Sequence, residues 1–157
     1  MHSIDSDVQK NRRVYSASIK AYCDGACRGG NPGDCSCAWA IYDGEAVSYT
    51  GARYLGPEPH SNNHAEYQGL IGLLMLAASV SKTNLEIYSD SEVVIKQISG
   101  EWKVKEHSLQ PLRDLAYALL LRGGHTLQHV KGHAGDPGNE LVDRLCNETL
   151  DNEGIKK

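Results

Sequence analysis

The segment SIKAYCDGACRGGNPGDCSCAWAIYDGEAVSYTGARYL (residues 18–55) decides the fold class of this 157-residue chain. Its first part, SIKAYC, alternates apolar and polar residues and predicts a strand that stops at Asp24-Gly25. After a loop rich in Gly, Pro and Asn, CAWAIYD and AVSYTGARYL predict two more strands around a turn at Asp43-Gly44. Three strands in close succession indicate an antiparallel meander.

The apolar periodicity changes from that of strands to that of helices in the rest of the chain. Residues 63–80 place apolar side chains at helical spacing, after the capping residues Ser61 and Asn62. There follow a strand at 85–89, a helix ending at Gly100, a helix ending at Gly123-Gly124, a strand at 125–130 and a last helix at 139–150. The order βββαβααβα predicts an α/β fold: a mixed five-stranded sheet, its first three strands antiparallel, with helices on both faces.

The length and composition of the chain indicate one folded unit. We place the domain at residues 17–150, between a disordered polar tail at 1–16 and a C-terminal tail at 151–157. No stretch approaches the apolar length of a membrane span or of a secretory signal, so we expect a cytoplasmic protein with no membrane partner. Nothing in the sequence implies a protein partner, and we expect a monomer.

Five cysteines form an odd set that does not indicate a secreted disulfide framework, and a reducing cytoplasm is the simpler setting. The spacing Cys23-x3-Cys27 followed by Cys35-x-Cys37 leaves zinc as an alternative, but we favour Cys23 and Cys37 as buried apolar side chains. His60 and His64 also have the spacing of a metal pair. We do not expect them to bind metal, because the first precedes the helix.

Four acidic residues occupy positions where a structural role is hard to supply. Asp24 ends the first strand and Asp90 ends the fourth, so these carboxylates lie side by side if the two strands are neighbours in the sheet. Glu66 and Asp143 each lie beside the buried stripe of a helix. Each residue alone has a simpler interpretation as a turn former, an N-cap or a solvated helix residue. Together they predict four carboxylates that point to one place.

Such a cluster requires compensation. Two like charges about 4 Å apart repel by about 4 kcal/mol at an effective dielectric constant near 20. Either some of the carboxylates are protonated or hard cations hold them together. Oxygen ligands suit Mg²⁺, with Mn²⁺ as a substitute, and two such ions form the clamp used for displacement at phosphodiesters.

The sequence resembles type 1 ribonuclease H. The resemblance covers Ser18 to Leu150 and is carried by four blocks, YCDGAC (22–27), NNHAEYQGLI (62–71), YSDSEVVIKQISG (88–100) and VKGHAGDPGNELVDRLCNETL (130–150). It implies an endonuclease that hydrolyses the RNA strand of RNA/DNA hybrids and leaves 5′-phosphate and 3′-hydroxyl ends. It further implies two bound Mg²⁺ ions, with the ligands Asp24, Glu66, Asp90 and Asp143.

The resemblance also implies roles for residues outside the carboxylate cluster. His133 matches the family's mobile histidine, which helps to handle the water proton or to release product. Contacts to the substrate, including the 2′-hydroxyl that separates RNA from DNA, are implied for Cys27, Asn31, Asn62, Asn63 and Glu92. The family often has Gln where Glu92 stands.

The short segment EWKVKEHS (101–108) stands where many family members carry a basic protrusion, so the chain resembles the short members. Trp102, Lys103 and Lys105 are the candidates for contacts to the DNA strand. We expect weaker hybrid affinity than that of a protrusion-bearing relative.

The formal net charge of −4 by itself argues against a polyanionic partner. Residues 96–132 nevertheless hold six basic residues against three acidic ones. Two other functions stay open: a different metal nuclease or strand-transfer enzyme of this fold (transposase, integrase or junction resolvase), and a degenerate module that binds hybrids without cleaving them.

Overall fold

The computed structural model of the protein describes residues 19–131 and 135–157. The strands are β1 (Lys20–Arg28), β2 (Asp34–Asp43), β3 (Ala46–Tyr54), β4 (Glu86–Ser89) and β5 (Thr126–His129). The helices are α1 (Asn62–Ser79), α2 (Glu92–Ser99), a short 3-10 helix (His107–Leu109), α3 (Gln110–Gly123) and α4 (Pro137–Asn152). The predicted order of elements is confirmed. The expected tail at 1–16 and the residue His133 lie outside the described residues.

The five strands form one sheet in the order β3-β2-β1-β4-β5. The first three strands pair antiparallel, whereas β4 pairs parallel with β1 and β5 pairs parallel with β4. Parallel neighbours need a crossover connection, which α1 provides before β4 and which α2 and α3 provide before β5. The predicted mixed five-stranded sheet is confirmed.

Helices cover both faces of this sheet, as predicted. The larger core lies between the sheet and α1, with side chains from α2 and α3, and it includes Cys23, Tyr67, Leu70, Leu73 and Ile87. The smaller core lies under α4 and includes Tyr22, Ala38, Ala40, Val142 and Cys146. Successive residues of β1 therefore face opposite cores. None of the helices in the described ranges is long and apolar enough to span a membrane.

The helix ends follow the capping signals of the sequence. The Ser61 hydroxyl accepts a hydrogen bond from the amide of His64 at 3.1 Å and starts α1. Gly100 and Gly124 end α2 and α3 with φ angles of 84° and 65°, in the left-handed region that glycine tolerates. The last helix begins earlier than predicted, at Pro137, because the Asp136 carboxylate caps its first turn.

Strand β1 is longer than predicted. The strand expected to stop at Asp24-Gly25 runs to Arg28, because its antiparallel pairing with β2 continues that far. Asp24 therefore lies within β1 rather than at its end. What stops beside Asp24 is the parallel pairing with β4, whose last register pair is Tyr22 and Tyr88.

One cysteine pair corrects the expectation of reduced thiols. Cys27 and Cys35 form a disulfide, and they face each other across the antiparallel pair of β1 and β2. Opposed residues in such a pair have neighbouring side chains, a relation that depends on register and not on sequence spacing. The disulfide removes both residues as thiolate ligands of zinc. Cys23 and Cys37 are buried free thiols, as predicted.

The C-terminal boundary also differs from the expected one. Helix α4 continues through Asn152, two residues into the predicted tail. The buried Arg28 guanidinium donates to Asp151 Oδ1 at 2.7 Å and to the carbonyl oxygen of Ile155 at 2.6 Å. These bonds hold the end of the chain against β1.

Candidate active site

Asp24 and Asp90 come together because β1 and β4 are parallel neighbours. In this register each carboxylate stands two residues beyond the last pair, which is Tyr22 with Tyr88. The carboxyl ends of parallel strands open into a crevice where ligands commonly bind. Asp24 is 4% exposed, and Asp90 is half-buried. The predicted proximity of strands one and four is confirmed.

Glu66 reaches the same crevice because α1 lies unusually close to β1. The amide of Gly25 donates to Glu66 Oε1 at 2.7 Å and to Asp24 Oδ1 at 2.9 Å. A Cβ at position 25 would lie 2.5 Å from the Glu66 amide nitrogen, and a Cβ at Gly69 would lie 3.2 Å from the carbonyl carbon of Asp24. Two glycines thus permit the backbone contact that sets the two carboxylates side by side.

The three carboxylates form a compact cluster. One oxygen atom from each of Asp24, Glu66 and Asp90 lies within 4.8 Å of the other two. Asp143, half-buried on α4, faces this cluster closely enough that its charge contributes to the raised pKa values of Asp24 and Asp90. The structure therefore brings three of the four predicted ligands into one cluster and places Asp143 near it.

The cluster is electrostatically costly in its fully ionised form. Burial raises the pKa of Asp24 to about 7, and it raises the pKa of Glu66 well above the usual range, with repulsion from Asp24 adding to the effect. Burial and the charge of Asp143 also raise the pKa of Asp90. Among the described residues no Lys or Arg forms an ion pair with these side chains. Protons or bound cations must therefore compensate the negative charge.

The donor set fits a hard divalent cation. Glu66 Oε2 is buried and has no hydrogen-bond partner within the described ranges. An unpaired buried carboxylate oxygen is expensive unless a proton or an ion contacts it. The donors are all oxygens, which suit Mg²⁺ and Mn²⁺ better than softer metals.

The simpler interpretations of these residues fail on the local geometry. The cap of α2 is Ser91, whose hydroxyl accepts from the amide of Val94 at 3.2 Å, so Asp90 is not needed as an N-cap. Glu66 is not a solvated helix residue, since its Oε2 atom is buried. Asp24 does accept from Gly25, but within a strand rather than a turn.

Four of the predicted substrate-binding residues line one groove. It has a volume of about 610 Å³ and runs from α1 to the segment between α2 and the 3-10 helix; among its lining residues are Asn63, Trp102, Lys103 and Lys105. Trp102 is 44% exposed, so it is available for contact and is not a core residue. The groove offers two ammonium groups and an aromatic surface, which suit contacts to a nucleic acid, and Glu101 and Glu106 also line it.

Three of the other predicted contacts, Cys27, Asn31 and Asn62, lie around the loop between β1 and β2. Asn31 Oδ1 accepts from the Asn62 amide at 2.9 Å, so these two residues are neighbours. Cys27 precedes the loop, but its sulfur is bonded to Cys35 and offers no thiol. Glu92 is exposed in the first turn of α2. His60 and His64 stack with their ring centroids 4.5 Å apart at an angle of 13°, and their Nε2 atoms lie 3.2 Å from the Leu55 carbonyl oxygen and 3.4 Å from Gln68 Nε2, respectively.

Asn139 is a site residue that the sequence reasoning missed. It is 4% exposed in the first turn of α4, and its side chain lies close enough to Asp90 to oppose the rise in the pKa of that residue. Its Oδ1 atom is buried without a partner among the residues that the structure describes. An Asn four residues before Asp143 on a helix lies on the same helical face, a signal that was present in the sequence.

Comparison with known proteins finds relatives of one family. The family described as RNase H matches residues 16–151. Ribonuclease HI of Halobacterium salinarum is 35% identical over 135 residues, which cover 85% of this chain and 64% of that protein. Ribonuclease H of Verminephrobacter eiseniae is 35% identical over 146 residues, which cover 85% of this chain and 90% of that protein.

Solved structures share the fold. The crystal structure of RNase H1 from Halobacterium salinarum has a TM-score of 0.77 at 34% identity and covers 87% of this chain and 99% of that chain. LC11-RNase H1 in complex with an RNA/DNA hybrid has a TM-score of 0.76 at 26% identity, with coverages of 87% and 99%.

A mixed sheet covered on both faces, with a cluster of carboxylates where the parallel pairing of β1 and β4 stops, defines the class as an α/β protein with an acidic site. The chain belongs to the ribonuclease H family, and within it to type 1, ribonuclease HI.

Proposed function

We propose that the protein is an endonuclease that hydrolyses the RNA strand of RNA/DNA hybrids and leaves 5′-phosphate and 3′-hydroxyl ends. The observation that carries the proposal is the convergence of Asp24, Glu66 and Asp90 within 4.8 Å. Membership of the family supports the reaction, and the hybrid complex of the related LC11-RNase H1 supports the substrate.

The proposed cofactors are two Mg²⁺ ions, with Mn²⁺ as a substitute. Asp24, Glu66 and Asp90 would hold one ion, and Asp24 and Asp143 would hold the other. When bound, the cations lower the pKa of the attacking water and neutralise charge at the phosphate and the departing 3′-oxygen. The Gly25 amide orients Asp24 and Glu66 in advance, which reduces the reorganisation needed at the site.

Substrate recognition is proposed at the two surfaces beside the carboxylates. Asn62, Asn63 and Glu92 bind the RNA strand together with the loop at Cys27 to Asn31, and the Glu92 carboxylate accepts a hydrogen bond from a 2′-hydroxyl. Across the groove, the DNA strand contacts Trp102, Lys103 and Lys105.

Three expectations stay predictions. His133, which lies outside the described residues, is proposed to handle the proton of the water or to assist product release. A monomeric state without a protein partner and a cytoplasmic location are likewise predicted from the sequence alone.

The test is cleavage of end-labelled substrates by the purified protein. RNA/DNA hybrid, duplex DNA and duplex RNA are each incubated with Mg²⁺, with Mn²⁺ and with EDTA. We expect cleavage of the hybrid alone, dependent on metal, with RNA fragments whose 5′ ends carry phosphate. Asp90→Asn should lower the rate by about a hundredfold or more. Glu148→Gln, an exposed carboxylate on α4, is the matched control and should leave the rate unchanged.

The other candidate functions predict different outcomes. Cleavage or joining of duplex DNA would favour a strand-transfer enzyme or another nuclease of this fold. Tight hybrid binding without metal-dependent cleavage would show a degenerate module. Either result would overturn the proposed reaction.

A further inference from the structure

The disulfide between Cys27 and Cys35 closes the base of the loop at residues 29–33. The two residues are opposed in the register of β1 and β2, one pair before that pairing ends at Arg28 and Asp34. Cys35 is fully buried, whereas Cys27 is half-buried. The bond therefore joins β1, the strand that carries Asp24, to β2 at the base of a loop that is exposed at its tip.

This loop is attached to the start of α1 by three hydrogen bonds. Gly33 and His60 exchange two backbone bonds, each 2.9 Å long. Asn31 Oδ1 accepts from the Asn62 amide at 2.9 Å. The Cys35 carbonyl oxygen accepts from the Leu55 amide at 2.9 Å, and this bond holds the segment before α1 against β2. The position of Asn31 and Asn62 thus depends on the base that the disulfide closes.

The carboxylates are held by other contacts. Asp24 pairs with Ala38 in the antiparallel register, and the Gly25 amide contacts both Asp24 and Glu66. None of these bonds passes through the loop at 29–33. A change confined to the disulfide therefore affects the loop more than the carboxylate cluster.

We propose that the Cys27–Cys35 disulfide is a positioning crosslink for hybrid binding, and that its reduction weakens hybrid affinity while the cleavage step is retained. The inference rests on the proposed function and adds a determinant of substrate binding to it. Opening the bond leaves the base of the loop held by the Arg28–Asp34 pair and the two Gly33–His60 backbone bonds. Asn31 and Asn62 then lose part of their preorganisation, and binding must offset the entropy lost when the loop is ordered.

The reductant is a dithiol. One thiolate of the dithiol attacks the sulfur of Cys27, the more exposed residue of the pair, and the Cys27–Cys35 bond breaks, with Cys35 leaving as a thiolate that takes up a proton. The second thiol of the dithiol then displaces Cys27 from the mixed disulfide. The pair gains two electrons and two protons, and the dithiol becomes a cyclic disulfide.

The experiment compares the oxidised protein with the same protein reduced by dithiothreitol. Thiol counting in denaturant verifies the state, since three free cysteines are expected in the oxidised chain and five in the reduced one. KM and kcat are measured on RNA/DNA hybrid with Mg²⁺. Hybrid Kd is measured by fluorescence anisotropy in an Asp90→Asn background, so binding is observed without turnover.

We expect reduction to raise KM and Kd by about five- to tenfold, the scale of one lost hydrogen bond, with kcat within about twofold. Cys35→Ser should behave like the reduced wild type whether or not dithiothreitol is present. Cys37→Ala is the matched control: this buried free cysteine lies two residues along the same strand, and the variant should keep the response of the wild type. The comparison of the two wild-type states needs no substitution and decides the question if a variant fails to fold.

Equal Kd values for the oxidised and reduced wild type would overturn the proposed role of the disulfide in binding. An effect of dithiothreitol on Kd that persists in Cys35→Ser would overturn it as well. If the oxidised protein cleaves hybrid and Kd does not respond to reduction, only the crosslink fails. If the oxidised protein neither binds nor cleaves hybrid, the proposed function fails and the crosslink proposal fails with it.

Discussion

At the residue scale, two adjacent side chains at the start of α2 have separate tasks. Ser91 caps the helix by accepting from the Val94 amide. Asp90 instead contributes its carboxylate to the cluster with Asp24 and Glu66. A substitution at Ser91 should therefore change the stability of the protein, whereas a substitution at Asp90 should change its activity.

We predict that Ser91→Ala lowers the free energy of unfolding by about 1 kcal/mol, the usual contribution of an N-cap. Its cleavage rate per folded molecule should stay close to that of the wild type. Asp90→Asn should do the reverse: it loses cleavage without lowering the stability of the metal-free protein, because burial and the charge of Asp143 disfavour the ionised carboxyl. Urea unfolding and single-turnover cleavage measure the two effects. A Ser91→Ala protein that is stable but inactive would contradict this division.

Asp24 connects the site to the pH dependence of stability. Its ordinary pKa of 3.8 rises to about 7 in the folded protein, chiefly through burial. Between these two values the folded state binds more protons than the unfolded state, so without metal its stability falls as the pH rises. Below pH 3.8 the carboxyl is protonated in both the folded and the unfolded state, and its contribution to the pH dependence of stability disappears.

We predict that Asp24→Asn is more stable than the wild type in EDTA at pH 8, by on the order of 2 kcal/mol or roughly 4–8 °C in Tm. The difference should shrink as the pH falls toward 4. Mg²⁺ should raise the Tm of the wild type at pH 8 and have little effect on the variant. Thermal unfolding across this pH range is the measurement, with the exposed Asp43→Asn as control. A stability difference that does not change with pH would exclude the burial of charge as its cause.

At the element scale, the site depends on how closely α1 approaches β1. Gly25 on the strand and Gly69 on the helix leave no room for a side chain between the two backbones. The sequence periodicity predicts α1 to within one residue at each end, because a helix depends on neighbours three and four positions away. It does not predict the distance of the helix from the strand, which depends on residues far apart in the chain.

We predict that Gly69→Ala lowers stability by about 1–3 kcal/mol, as overpacking does, and also lowers kcat by displacing Glu66. The added Cβ would stand 3.2 Å from the carbonyl carbon of Asp24. Gly72→Ala is the matched comparison, because its Cβ would instead press on the Trp39 side chain, 2.8 Å from Cη2. It should cost stability without a matching loss of kcat. Equal losses of kcat in the two variants would show that the approach of α1 to Asp24 does not matter.

At the scale of the whole molecule, the distribution of charge matters more than its sum. The net charge of −4 equals the charge of the four carboxylates of the site when all are ionised. The groove beside the site carries Lys103 and Lys105. Two divalent cations in the site would offset the charge of its four carboxylates, so attraction of a nucleic acid would rest on Lys103 and Lys105, whose groove Glu101 and Glu106 also line.

We predict that the double variant Lys103→Gln/Lys105→Gln weakens hybrid binding and makes the plot of log affinity against log salt shallower by about 1 to 2, because up to two phosphate contacts are lost. Lys156→Gln/Lys157→Gln removes the same charge from exposed residues at the C-terminus and should leave the slope unchanged. Hybrid binding at several salt concentrations is the measurement. An equal change of slope in both double variants would point to net charge rather than to the groove.

The sequence by itself determined the order of elements, the capped ends of α1 and α2 and the four acidic residues, because these depend on local periodicity and local hydrogen bonding. Only the tertiary structure decided that Asp24 lies within β1, that Cys27 is bonded to Cys35, that Arg28 anchors the C-terminus and that Asn139 faces Asp90. These features depend on strand register and on contacts between distant segments. Burial, which raises the pKa values of Asp24 and Glu66, likewise exists only once the two faces of the sheet are covered.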